Sequence, residues 1–196
     1  RLLPLALLYL DIPESPKSSP LFYYSGDEAL VPIGVLRSDH TSKAAWVGLK
    51  AGSPSGPHGH MDGGSFVFES EGYRWAIDLG MEDYTKIEKK RFQLWNSKQD
   101  GDRWKLFRLG PVSHNILRID EALQNVKGNA KITKFSTGSI EMDLTTLYTP
   151  AAGQVTRTAS LLSGRALRLR DRLTGVTPNA RITWQMCTQA TPEILA

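Results

Sequence analysis

An all-β fold, a multi-stranded antiparallel β-sandwich or super-sandwich, is what this 196-residue chain predicts. Three observations carry that expectation. Seventeen glycines and eleven prolines punctuate the sequence at short intervals, where tight turns need them. Between them lie roughly a dozen short runs rich in β-branched and aromatic residues, which fit pleated strands. No stretch between these runs has the apolar spacing of a long helix. At 40% hydrophobic and 22% charged residues, the chain is long enough to bury one sizeable core.

The elements follow in order. Residues 1–10 are apolar but too short to span a bilayer, and they lack the small-residue cleavage pattern of a signal peptide. They read as a short helical remnant, the end of an upstream helical domain. Residues 11–20, rich in proline and serine, read as its linker. The sandwich domain is expected over 21–196, with its C-terminal edge incomplete. Its first strands fall at 21–24, 34–37 and 44–49. Residues 64–69 and 73–79 flank Ser70-Glu71-Gly72 and predict an antiparallel hairpin.

Residues 81–90 are polar with weak helical spacing, and 95–104 read as a surface loop. Strands return at 106–109, 115–119, 131–135, 139–144, 155–162, 165–173 and 181–186. Within Leu167-Arg168-Leu169-Arg170-Asp171-Arg172-Leu173 the leucines and arginines alternate at period two, the pattern of a half-buried strand with a solvated basic face.

Charge and cysteine content narrow the partners. A net charge of +4 without a clustered basic run suits an acidic polymer and argues against a nucleic-acid binder. The single cysteine, Cys187, permits no disulfide within the chain and reads as a small core residue.

Three of the four histidines, His58, His60 and His114, fall in segments read as strand ends or loops. In an extended segment, positions 58 and 60 face one side, so both imidazoles could enter one pocket. Asp78 ends the second strand of the predicted hairpin and can return toward His60, and His114 supplies a distant third ring. Imidazoles with one carboxylate and an open position suit zinc. His40, beside Asp39, reads as a surface histidine. Trp95 and Trp104 fall in the expected surface loop, where they could stack on sugar rings.

The ordered set Gly56-Pro57-His58-Gly59-His60-Met61-Asp62-Gly63-Gly64-Ser65-Phe66, Gly72, Asp78-Leu79-Gly80, Ser113-His114-Asn115, Arg118-Ile119-Asp120 and Gln124 resembles the signature of heparinase II/III-like proteins. Arg37-Ser38 extends the resemblance upstream. After His114 the pattern departs, with Asn115 followed by Ile116 and Asp120 by Glu121. The resemblance implies the β-sandwich part of a polysaccharide lyase that cleaves a uronic-acid-containing polymer by β-elimination. It also implies an upstream helical toroid in the same protein as partner, with sugar bound between the two, so the isolated chain would hold half an active site.

Residue by residue, the resemblance implies His58 as the catalytic, substrate-facing group and His60, Asp78 and His114 as zinc ligands. Asp62 would orient a histidine through its second ring nitrogen, and Arg37 is a candidate substrate-binding residue. A bacterial periplasmic, cell-surface or extracellular location is implied with it. The sequence predicts no membrane span and leaves the assembly state open, an oligomer included. Two alternatives compete: a non-catalytic carbohydrate-binding or structural domain stapled by zinc, and a cupin-like metalloenzyme. The cupin reading lacks the glutamate expected soon after the second histidine, since Met61-Asp62-Gly63-Gly64-Ser65 stands there.

Overall fold

The computed structural model describes residues 21–89, 93–163 and 165–193. The expected helical remnant and linker at 1–20 lie outside them. In chain order the elements are β1 (Phe22–Tyr24), β2 (Ile33–Arg37), β3 (Trp46–Lys50), β4 (Phe66–Ser70), β5 (Tyr73–Ala76), α1 (Tyr84–Lys89), β6 (Leu117–Ile119), β7 (Lys131–Ser136), β8 (Ser139–Asp143), α2 (Thr145–Tyr148), β9 (Gln154–Leu162), β10 (Ala166–Thr174) and β11 (Ile182–Trp184). Strands β1 to β5 form one antiparallel sheet in sequence order, and a second runs β10-β9-β8-β7. Strand β11 pairs with β6 in a third, two-stranded sheet. The predicted all-β antiparallel sandwich is the fold observed.

Alternation explains how the sheets face each other. Leu36, Val47, Leu49 and Phe66 point inward from the first sheet and join Ile132, Ile140, Met142, Val155 and Ala159 of the second in one buried cluster. Each large side chain buried this way contributes about 1.5–3 kcal/mol. On β10 the leucines turn inward and Arg168, Arg170 and Arg172 stay exposed, as the period-two pattern requires. The predicted hairpin forms, with Ser70 opposite Tyr73. Its two turn residues, Glu71 and Gly72, have φ of 57° and 80°, the paired positive values that match strand twist in a two-residue turn.

Two expectations are corrected. Residues 106–109 are a turn rather than a strand: Leu106 and Leu109 are both buried at a spacing of three, with Ile87 and Leu94, while Phe107 is exposed. Hydrogen bonds from Leu109 N and Gly110 N to Leu106 O close that turn. Residues 95–104 are only partly a surface loop, because Asp102–Lys105 form a 3-10 turn that buries Arg103 and Trp104. Trp104 is 4% exposed and Trp95 63%.

One buried cation links the sheets to the loops. Arg157, on β9 and 0% exposed, donates to the Asp171 carboxylate at 2.7 and 2.9 Å. Its Nη1 donates to Gly64 O and Asn115 O at 2.7 and 2.9 Å.

Candidate metal centre and the histidine loop

The signature segment leaves the sheet after β3 and returns at β4; backbone pairing holds its ends, at Gly52 with Ala130 and Gly64 with Lys50, and polar side chains hold its middle. Gln124 grips Gly63 from both sides, accepting from Gly63 N at 3.0 Å and donating to Gly63 O at 2.8 Å. Met61 N donates to Leu109 O at 2.8 Å, joining the segment to the 106–109 turn. The segment bearing His114 is pinned from the other side. Asn115 donates to Phe66 O and Ile77 O at 2.6 and 2.9 Å, and Gln185 donates to His114 O at 2.7 Å.

These clamps bring His60 and His114 together, with ring centroids 5.3 Å apart. His114 is fully buried, and its Nδ1 donates to Asp78 Oδ2 at 2.8 Å. Among the described residues its Nε2 has no hydrogen-bond partner. Burial drives the His60 imidazole down to about 4, with His114 and Lys50 adding to the effect against Asp62 and Asp78, so the ring is neutral and in ligating form at pH 7. Burial works to raise the Asp78 carboxyl, but hydrogen bonds from His114 and Gly80 N hold it below the usual carboxylate range.

Ligand atoms of His60, Asp62 and His114 all lie within 4.8 Å of one another. Both Asp62 oxygens also accept from Lys50 Nζ, at 2.5 and 2.6 Å. The residues therefore fit a zinc ion in donor type, in the neutral His60 ring and in the His114 Nε2 that has no partner among the described residues. Asp78 and Asp62 flank the two imidazoles in different ways: one bonds His114, the other a lysine.

His58 departs from the expectation that it shares a pocket with His60. The segment is not extended there. His58 has φ of 56°, and Gly59 passes so close to Pro54 O that an added Cβ would lie 2.2 Å from it. This tight turn breaks the i, i+2 relation and exposes the His58 ring among other partners. The ring stacks on Tyr84, with centroids 6.0 Å apart at 16°, and lies edge-on to Trp95 at 5.9 Å.

Arg103, missed in the sequence reading, holds this arrangement. It is 3% exposed and donates through Nε and Nη2 to Gly59 O at 3.0 and 2.9 Å and through Nη1 to Leu94 O at 3.1 Å. Its Nη2 also reaches Tyr84 Oη at 3.4 Å. A lone arginine between Asp102 and Trp104 carries no sequence signal for such burial. Arg37 takes a local role: its guanidinium donates to Asp39 O and Thr41 O, within the loop that leads to β3.

A β-sandwich with a histidine–carboxylate cluster between its loops defines a domain able to hold a metal beside an exposed histidine. The chain belongs to the heparinase II/III-like family: the family model described as "Heparinase II/III-like, C-terminal" matches residues 32–194. A solved structure of a heparinase III is similar in fold, with a TM-score of 0.56 at 14% identity over 83% of this chain. The chain spans 24% of that protein's length. No curated protein sequence matches the chain. Among the described residues, no helix is long and apolar enough to cross a membrane.

Proposed function

We propose that this domain is the β-sandwich part of a polysaccharide lyase that cleaves a uronic-acid-containing acidic polymer by β-elimination. The observation that carries the reading is the separation of the histidines: His60 and His114 face each other in a buried cluster, while His58 is exposed on a braced turn. In the elimination, a base takes the proton from the carbon beside the uronate carboxylate. The electron pair forms the new double bond, and the glycosidic oxygen departs with a proton from an acid. His58 is the substrate-facing group, as the base or as the partner that neutralises the carboxylate. The acid and the opposite wall of the groove come from an upstream helical toroid of the same protein, acting in the periplasm or outside the cell.

Zinc is the proposed metal, held by His60, Asp78 and His114, with Asp62 kept in support by Lys50. Bound there, the ion would cross-link the signature loop to the His114 segment and so fix the loop that carries His58. A second arrangement is favoured by the His114 geometry. With Nδ1 bonded to Asp78, Nε2 is the nitrogen left to ligate, Asp62 supplies the carboxylate, and Asp78 orients the ring.

Metal content tests both. Elemental analysis of the whole protein should find about one zinc per chain. His60→Ala and His114→Ala should lose it, and His58→Ala should keep it. Equal loss in all three variants would sink the division of roles. Asp78→Asn and Asp62→Asn then separate the arrangements: the ligand variant empties the site, while the orienting variant weakens affinity on the order of 10–100-fold.

A further inference from the structure

We propose that Trp95 is the stacking platform of a sugar subsite beside His58, taking the apolar C–H face of one ring of the acidic polymer. The proposal rests on the reading of His58 as the substrate-facing group.

Trp95 presents its indole to solvent, 63% exposed, beside the His58 ring. This one is also rigidly placed. Leu94, the residue before it, is buried in the small core with Ile87, Leu106 and Leu109. The Trp95 indole meets Tyr84 edge-on, with centroids 5.5 Å apart at 89°, and His58 at 78°. Together with Ser55, Gly56, Pro57, Ser97 and Arg103, Trp95 and His58 line a pocket of about 300 Å³. A pyranose ring has an apolar face of axial C–H groups and a rim of hydroxyls. An aromatic wall with serine hydroxyls at its edge complements both.

Arg103 is the positioning residue of this subsite. Its bonds join Gly59 O, one residue after His58, to Leu94 O, one residue before Trp95. The imidazole and the indole are thereby fixed relative to each other before any sugar arrives, so less ordering cost falls on binding. With its nitrogens directed to those carbonyls and to Tyr84 Oη, the guanidinium acts through the loops and not on the polymer.

The test uses the whole protein and Trp95→Ala, Trp95→Phe and wild type, with folding checked by circular dichroism. Cleavage is followed on heparan sulfate, hyaluronan and alginate, and binding of size-defined tetrasaccharides of each by calorimetry and tryptophan fluorescence. Trp95→Ala should raise KM and the tetrasaccharide Kd roughly three- to tenfold with kcat little changed, and Trp95→Phe should recover most of that loss. The fluorescence change on binding should vanish in both variants. Unchanged KM and Kd in a folded Trp95→Ala, with a polymer still cleaved, would overturn the subsite and leave the lyase reading standing. Tetrasaccharide binding that depends on Trp95, in a protein that cleaves none of the polymers, would support the subsite and remove the lyase reading. Neither binding nor cleavage would overturn both.

Discussion

The sandwich and the loops that bear the histidines are built on different principles. Between the sheets, inward-facing apolar side chains at period two make the core, and the backbone is satisfied by strand pairing. In the loops, buried polar side chains do that work: Gln124 holds Gly63, Asn115 holds Phe66 and Ile77, and Arg103 holds Gly59 and Leu94. A strand offers a repeating solution that tolerates exchange of one aliphatic residue for another. A clamp is a single solution, in which one donor fixes one carbonyl, so the site can be damaged without unfolding the sheets.

Arg157 joins the two regions and should give the largest effect. It belongs to β9, yet it donates to Gly64 O in the signature loop and Asn115 O beside His114. Removing it leaves the Asp171 carboxylate, about 10% exposed, unpaired and two carbonyls without that donor. Arg157→Ala is expected to cost about 3–5 kcal/mol of stability in chemical denaturation. A loss confined to metal affinity, with the denaturation midpoint unmoved, would show that the arginine serves the loops alone.

Tyr148 is the next test, because its hydroxyl bridges the same boundary. It donates to Leu117 O at 2.8 Å on β6 and accepts from Gln124 at 3.0 Å. Tyr148→Phe leaves Leu117 O without that donor, a cost of about 1–3 kcal/mol. The pH dependence has a definite sign. Burial pushes the phenol up to about 12, so the folded chain keeps the proton after an unfolded tyrosine, near 10, has lost it. This contribution is whole below pH 10 and is lost as pH rises through about 12. The phenylalanine variant should show a flatter decline in that window.

How much could be read from the sequence follows the same division. Period-two alternation located β10, and the Ser70-Glu71-Gly72 turn located the hairpin, because both signals are local. At 106–109 the signal misled: leucines spaced by three belong to a turn, and only the buried pair with Ile87 and Leu94 makes that evident. In the site, the histidines and carboxylates were visible as residue types. The separation of His58 from His60 was implied by family resemblance, while the i, i+2 argument pointed the other way. It failed because a positive φ at His58 and the close approach of Gly59 to Pro54 turn the chain, which spacing alone cannot express. Arg103 was hidden for a related reason: its partners are carbonyls, which carry no identity in the sequence.

The arginine ladder on β10 sets the lower limit of the comparison. Arg168, Arg170 and Arg172 belong to the sandwich by register but are exposed, and among the described residues none forms an ion pair. Their strand is held by pairing with β9 and by the leucines on the opposite face. Arg170→Thr keeps a residue suited to a strand and should change stability by no more than about 0.5 kcal/mol. The midpoint of chemical denaturation checks this. A loss above about 1 kcal/mol would mean that the outer face is packed in the folded protein, because exposed single substitutions do not reach that size. The ladder would then count with the clamps rather than with the solvated surface.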